Sequence, residues 1–229
     1  MDSFGKILKT WRLFTESPRG RDRGRNVRQE PKSLRVLDFD HTVAFTGEKV
    51  YIISPEGEKV GELSSEEYTH HQFSDNEVMS GYHYDFSEFD DVNAVNAKEN
   101  THVTEILRNF VNAGPGRIIL ILTARNQESE SGIRNYFETI GIDHSNINVV
   151  GVGSSAPEKK VDEVKKILEA NPTIETVSFY DDSHANTDEM MRFLRKYERA
   201  SGAPVFFDIA KVESDGKLTR MPGYRARRK

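Results

Sequence analysis

The chain of 229 residues has no cysteine, and no apolar run in it approaches the roughly 18 residues that span a bilayer. The absence of cysteine excludes a disulfide framework, thiolate zinc sites and cysteine nucleophiles, and it fits a reducing compartment. The first residues, MDSFGKILKTWRLF, lack the apolar stretch and the small-residue cleavage site of a secretory signal. We therefore expect a cytoplasmic protein without a membrane span.

Positive charge is scarce in the middle of the chain and concentrated at its two ends. Residues 1–36 carry a net charge of +6 and residues 211–229 carry +5, which leaves −16 on residues 37–210. Blocks of like charge at chain ends are often interaction arms, here for a nucleic acid or a protein partner. The alternative is that both ends are solvated tails, and the composition does not separate the two interpretations.

The N-terminal region, 1–33, divides into a predicted helix and a predicted linker. Residues 4–14 place apolar side chains at three-and-four spacing with basic residues between them, which indicates a short basic amphipathic helix. Residues 18–33 contain two prolines, two glycines and five arginines without apolar periodicity, as in a flexible linker. The basic C-terminal tail is assigned to 211–229.

Between these ends, from 34 to 210, short apolar runs alternate with segments of helical spacing. Such alternation predicts a parallel sheet with right-handed crossovers. We therefore predict a three-layer, Rossmann-like α/β fold with helices on both faces of the sheet. The predicted strands cover 34–40, 117–124, 147–153, 176–182 and 203–210, and the predicted helices cover 102–111, 128–139, 158–169 and 184–200.

One segment, about 44–98, interrupts this alternation after the first strand. It begins with a predicted hairpin in which VYIIS turns through Pro55, Glu56 and Gly57 into KVGEL. An insertion of about 55 residues in a compact sheet is usually functional. We therefore predict that it forms a small lid or cap at the carboxyl end of the first strand.

Chemically active residues follow the predicted strands at their carboxyl ends, where parallel sheets bind ligands. Each motif alone has a structural explanation, such as a turn, a helix cap or a solvated helix start. Together they gather carboxylates that would repel one another unless a cation bound between them, and oxygen ligands suit Mg²⁺. The motifs are Asp38-Phe39-Asp40-His41-Thr42, Thr123-Ala124-Arg125, Lys159-Lys160 and Asp181-Asp182-Ser183.

In this order, DFDHT, ILILTAR, a helix-opening lysine and FYDDS resemble the four motifs of the haloacid dehalogenase superfamily of phosphotransferases. The resemblance covers roughly 34–210 apart from the insertion. The first motif has a second aspartate, Asp40, and in this it is similar to the first motif of the phosphatase branches of the superfamily. Many members have glycine where this chain has His41.

The resemblance implies a phosphatase with a role for each motif residue. Asp38 would attack phosphorus and form an aspartyl-phosphate, and Asp40 would act as the general acid and base. Thr123 and Lys160 would bind the phosphoryl group; Lys160 is preferred over Lys159 because the apolar spacing puts it at the first turn of the helix. Mg²⁺ would be held by Asp38, by the Asp40 carbonyl and by Asp182, with Asp181 in support.

Two further residues are candidate substrate contacts. His41 flanks the first motif, and Arg125 directly follows the second. A surface salt bridge is an equally open interpretation of Arg125.

The sequence leaves the substrate and the oligomeric state open. The basic ends and the short cap, which resembles those of polynucleotide 3′-phosphatases, favour a nucleic-acid end or a nucleotide. The acidic body would repel a polyanion, so a small phosphorylated molecule stays open as the substrate. The opening, KTWRLFTES and its linker, resembles the starts of tailed-bacteriophage proteins, which implies the host cytoplasm. The alternative function is a non-catalytic structural or interaction protein of a phage-like assembly that retains this fold.

Overall fold

The computed structural model describes residues 31–64, 67–68, 71–89, 97–201 and 205–221. The predicted helix over 4–14 lies outside these residues. The strands, in chain order, are β1 (Ser33–Leu37), β2 (Ala44–Phe45), β3 (Val50–Ile53), β4 (Lys59–Leu63), β5 (His83–Asp85), β6 (Lys98–Glu99), β7 (Arg117–Thr123), β8 (Ile147–Gly151), β9 (Thr176–Asp181), β10 (Phe206–Val212) and β11 (Leu218–Arg220). The α-helices are α1 (Asp75–Ser80), α2 (Thr101–Asn112), α3 (Glu130–Thr139), α4 (Pro157–Ala170) and α5 (His184–Ser201).

A six-stranded sheet in the order β11-β10-β9-β1-β7-β8 forms the centre of the molecule. All neighbouring strands are parallel except β10 and β11. The chain runs outward from β1 through β7 to β8, and then crosses to the other side of β1 for β9 and β10. The strand order therefore reverses beside β1, and such a reversal opens a crevice at the carboxyl ends of the strands. The predicted mostly parallel sheet is confirmed.

Apolar side chains form one layer on each face of this sheet, because side chains along a strand alternate between its faces. Leu34 and Val36 of β1 belong to a cluster with α4 and α5, whereas Leu37 belongs to a second cluster with α2 and α3. The predicted arrangement of helices on both faces is therefore confirmed.

The predicted boundaries of the central elements differ from the observed ones by a few residues. The first strand ends at Leu37 rather than at residue 40, because the chain turns and the carbonyl of Phe39 accepts hydrogen bonds from the amides of Val43 and Ala44. Helix α3 begins at Glu130, after a 3₁₀ turn over Gln127–Ser129. Pro157 begins α4, where its missing amide hydrogen has no cost.

At the other end of the described chain, residues 211–221 continue the sheet. Strand β10 extends to Val212, and β11 pairs with it in antiparallel fashion. Gly216 makes the turn between them with a φ of +81°, in the left-handed region that glycine adopts readily. The predicted basic tail over 211–229 is therefore wrong for this segment, because net charge carries no information about strand pairing.

The insertion contains the predicted hairpin, in which β3 pairs antiparallel with β4. Strand β5 pairs with the other edge of β3 and completes a three-stranded sheet. Helix α1 begins with a capping box, in which Ser74 and Glu77 each bind the other's backbone amide. The short ladder of β2 with β6 joins the two ends of the insertion beside the central sheet. In the described part of the chain, no helix is both long enough and apolar enough to cross a membrane.

Candidate functional site

The loop after β1 carries the first two acidic residues. The amide of Asp38 donates to the carbonyl of Tyr180 at 2.9 Å, which continues the pairing of β1 with β9 by one residue. His41 has a φ of +53°, an uncommon value for a residue other than glycine, and its amide donates to Ala44 at 2.7 Å. The turn therefore keeps Asp38 and Asp40 at the carboxyl edge of the sheet.

Lys160 joins two of the carboxylates at this edge. Its Nζ lies 2.6 Å from Asp38 Oδ1 and 2.8 Å from Asp181 Oδ2. All three side chains are buried. Asp181 also accepts hydrogen bonds from the Ser183 amide and the Asn186 side chain, both at 2.9 Å. Lys160, which the helix periodicity favoured over Lys159, thus lies at the site, whereas Lys159 is exposed.

Asp182 completes a cluster of three carboxylates. Oxygens of Asp38, Asp181 and Asp182 all lie within 4.8 Å of one another. The Asp182 amide donates to the hydroxyl of Thr42 at 3.1 Å, so the β1 loop and the end of β9 are tied together. The sequence therefore contributes one carboxylate from β1 and two from β9 to a single location.

The protonation of these groups reflects their burial. Burial raises the pKa of Asp38 well above its usual range, although Lys160 opposes this shift. Burial and the charge of Asp181 raise the pKa of Asp182 to about 7. Burial would lower the pKa of Lys160, but the carboxylates of Asp181 and Asp38 outweigh it and raise this pKa. Asp38 and Asp182 therefore bind protons more readily than isolated aspartates do, because Lys160 alone does not balance three ionised carboxylates.

A divalent cation suits this donor set. The three carboxylates provide only oxygen ligands, which hard ions such as Mg²⁺ prefer. When all three are ionised, Lys160 leaves two negative charges uncompensated. A divalent ion bound by Asp38, Asp182 and the neighbouring backbone would balance them.

Asp40 lies apart from this cluster and pairs with Arg125. The Arg125 guanidinium donates from Nε to Asp40 Oδ2 at 2.9 Å and from Nη2 to Asp40 Oδ1 at 2.6 Å. Thr46 also donates to Asp40, at 2.7 Å. Burial would raise the pKa of Asp40, but these hydrogen bonds and the Arg125 charge hold it below the usual value. Asp40 is therefore held as a carboxylate.

Arg125 is not a surface residue, and its donors are turned toward the protein. Its side chain is only 1% exposed. Besides Asp40, it contacts Glu48 Oε1 at 3.2 Å and the Phe89 carbonyl at 3.1 Å. The interpretation of Arg125 as a surface salt-bridge residue is therefore wrong, and the expected contact with substrate would require these bonds to rearrange.

Thr123 and His41 border the two carboxylates of the loop. Thr123 ends β7 and is fully buried, and its hydroxyl lies 3.4 Å from Asp40 Oδ2. The same hydroxyl accepts a hydrogen bond from the Arg125 amide at 3.2 Å. His41 is half-buried, with its ring packed edge-on against Phe45. All the motif residues named from the sequence therefore lie around the carboxyl ends of β1, β7 and β9 and the start of α4.

Three residues at the site were not identified from the sequence. Thr46 and Glu48 reach Asp40 and Arg125 from the insertion. Asn100 is buried and donates to the Thr42 carbonyl at 2.9 Å and to Gly216 at 3.3 Å, so it ties the β1 loop to the β10–β11 turn. None of them belongs to a recognisable motif. The path of the insertion brings Thr46 and Glu48 to the site, and Asn100 lies there because it directly precedes α2.

The arrangement combines a buried carboxylate beside a lysine, a cluster of three carboxylates and a further carboxylate paired with an arginine. Comparisons with protein-family models, with curated proteins and with solved structures find no match to this chain.

Proposed function

We propose that this chain is a Mg²⁺-dependent phosphomonoester hydrolase of the haloacid dehalogenase type, with 44–98 as its cap. The observation that carries the proposal is the contact of Lys160 with both Asp38 and Asp181, at 2.6 and 2.8 Å. It unites three of the motifs around the carboxylate with the role of nucleophile. A packed sheet has no structural need for such a buried charged cluster, because desolvation of its members is costly.

In the first step, an oxygen of Asp38 attacks phosphorus and the bond from phosphorus to the ester oxygen breaks. The departing ester oxygen takes a proton from the protonated form of Asp40 and leaves as an alcohol. Thr123 donates its hydroxyl to a phosphoryl oxygen, and Lys160 stabilises the developing negative charge. When bound, Mg²⁺ would reduce the repulsion between the Asp38 carboxylate and the phosphate.

In the second step, water attacks the phosphorus of the aspartyl-phosphate and gives up a proton to Asp40. Inorganic phosphate leaves, and the Asp38 carboxylate is restored. The pairing of Asp40 with Arg125 favours the ionised form, which is the form that accepts this proton. To donate a proton in the first step, Asp40 must first take one up from water, which its pairing with Arg125 opposes.

The substrate is a phosphorylated small molecule or the phosphate at a nucleic-acid end. The basic segments 1–36 and 211–229 favour the nucleic-acid end, because lysine and arginine bind phosphate backbones. They are equally suited to an acidic protein partner.

The competing function is a non-catalytic interaction protein of a larger assembly. One observation favours it: helix α1 of the insertion exposes two apolar side chains, with Val78 61% and Met79 86% exposed. Exposed apolar side chains are suited to protein contacts when they form a patch. An interaction protein has no need for both Asp38 and Asp40.

The test is hydrolysis of a generic aryl phosphate by the purified chain in Mg²⁺ and in EDTA. We expect turnover in Mg²⁺ only, and a loss of at least about a thousandfold in Asp38→Asn, which removes the nucleophile. Asp162→Asn, at an exposed aspartate of α4, is the matched control. Near-normal turnover in Asp38→Asn would contradict the mechanism, and no turnover in any folded variant would favour the interaction protein.

A further inference from the structure

The insertion contacts the site directly through Thr46 and also through Arg125 of the central fold. Arg125 follows β7, and it contacts two groups of the insertion, Glu48 and the carbonyl of Phe89. Its Cζ also lies 5.1 Å from the centre of the Phe89 ring, which is cation–π distance. The same guanidinium binds Asp40 with two hydrogen bonds. One guanidinium therefore contacts both the insertion and Asp40.

Arg125 is shared between two carboxylates. Its Nη2 lies 2.6 Å from Asp40 Oδ1 and 3.2 Å from Glu48 Oε1. A guanidinium nitrogen of this type carries two hydrogens, so it can donate to both carboxylates at once. One positive charge thus holds a carboxylate of the insertion and a carboxylate of the site.

Among the described residues, only one of the two carboxylate oxygens of Glu48 has a partner. Its side chain is 8% exposed, and among the described residues its Oε2 is buried without a hydrogen-bond partner. Burial of an unsatisfied carboxylate oxygen is unfavourable, and movement of the insertion away from Arg125 would hydrate it. In the observed position of the insertion, the contact with Arg125 therefore offsets part of this cost.

We propose that Glu48 is a positioning residue that acts through Arg125. While Glu48 of the insertion contacts Arg125, the guanidinium is fixed and holds Asp40 in place. This inference rests on the proposed function, in which Asp40 transfers the protons. When the insertion moves away, Arg125 loses Glu48 and the Phe89 carbonyl, and the guanidinium is no longer fixed against Asp40. Substrate entry and proton transfer are thereby coupled by a single ion-pair network.

The first test is a double-mutant cycle on aryl phosphate hydrolysis. We expect Glu48→Ala to lower kcat about tenfold with KM within about twofold, because it disturbs orientation rather than binding. Glu48→Gln, which retains an oxygen acceptor for Arg125, should recover part of the loss. In an Arg125→Ala background, Glu48→Ala should change kcat by less than about twofold. An equal loss in both backgrounds would overturn the proposal, since Glu48 would then act without Arg125.

The matched control is Glu58→Ala, at an exposed glutamate of the same insertion. Like Glu48→Ala, this change removes one negative charge from the insertion. We expect kcat to remain within about twofold of that of the unchanged chain. A tenfold loss in this control as well would mean that the charge of the insertion matters and that the Arg125 contact does not.

The second test measures the seating of the insertion directly and needs no activity. Because the chain has no native cysteine, Glu56→Cys on the hairpin and Glu169→Cys on α4 accept one nitroxide label each. We expect a narrow distance distribution in the otherwise unchanged chain and in Glu58→Ala, and a broadened one in Glu48→Ala and Arg125→Ala. A narrow distribution in all four proteins would overturn the proposal. If no hydrolysis is observed but the distribution broadens as expected, the proposed function is wrong. The contact of Glu48 with Arg125 would still be shown to hold the insertion in position.

Discussion

In β7 of the central sheet, six of the seven side chains are buried, whereas in β4 of the insertion none of the five is. The central sheet is covered by apolar layers on both faces, but the insertion is held by contacts between half-exposed rings such as Phe73 and Tyr84. Residues 44–98 also carry a net charge of −9, which opposes close packing. The central fold thus rests on a continuous apolar core, whereas the insertion rests on smaller and partly exposed contacts.

The largest effect that separates the two regions should come from Lys160→Met in the central fold. The change leaves the carboxylates of Asp38 and Asp181 buried without their shared cation, so we expect a loss of about 3–5 kcal/mol in the free energy of unfolding at pH 7. Hydrolysis should fall at least about a hundredfold. Urea unfolding and aryl phosphate assays measure both. Lys159→Met, at the exposed neighbour, is the control, and equal stability of the two variants would refute the structural role of Lys160.

A pair of cavity-forming substitutions compares the two regions directly. Leu120 is fully buried in β7, so Leu120→Ala should lower the free energy of unfolding by about 3 kcal/mol. Ile52 is half-buried in β3 of the insertion, so Ile52→Ala should cost less than about 1.5 kcal/mol. Urea unfolding of both variants measures the difference. If Ile52→Ala costs as much as Leu120→Ala, the insertion belongs to the cooperative core.

A smaller and pH-dependent effect is expected at Asp182. Its pKa of about 7 in the folded chain lies above the ordinary value of 3.8, so the folded state binds more protons between about pH 4 and pH 7. Stability contributed by this group is therefore lost as pH rises through that window. Without Mg²⁺, we expect Asp182→Asn to be more stable than the parent chain by about 1–3 kcal/mol above pH 7, with no difference near pH 4.

Urea unfolding in EDTA across pH 4–8 measures this effect, with Asp162→Asn as the exposed control. A constant difference between Asp182→Asn and the parent chain at every pH would contradict the raised pKa. Loss of the difference on addition of Mg²⁺ would support the assignment of Asp182 as a ligand.

The smallest effect on the site is expected from deletion of residues 1–30. The cut is made there because the Lys32 amide already pairs with Gly116, and β1 begins at Ser33. Aryl phosphate hydrolysis should change by less than about twofold, while affinity for a DNA oligonucleotide at low salt should fall about tenfold, since eight basic residues are lost. A chain that no longer folds would show that this segment belongs to the core.

The central fold was predictable because its signals are local. The continuous apolar run of β7 and the three-and-four spacing of α4 each report burial from a few neighbouring residues, and the structure contains both elements close to their predicted bounds. Strand β11 was not predicted, because its pairing with β10 depends on a turn at Gly216 and not on apolar periodicity.

The sequence by itself determined the order of the strands and helices, and with it the approach of Asp38, Thr123 and Asp181, since parallel strands bring their carboxyl ends to one edge. Only the tertiary structure decided that Arg125 pairs with Asp40, 85 residues away, and that Glu48 shares that guanidinium. Such contacts depend on the path of the insertion, which its irregular and acidic sequence does not reveal. Local patterns of burial determine secondary structure, whereas the pairing of buried charges depends on distances in space that no local pattern contains.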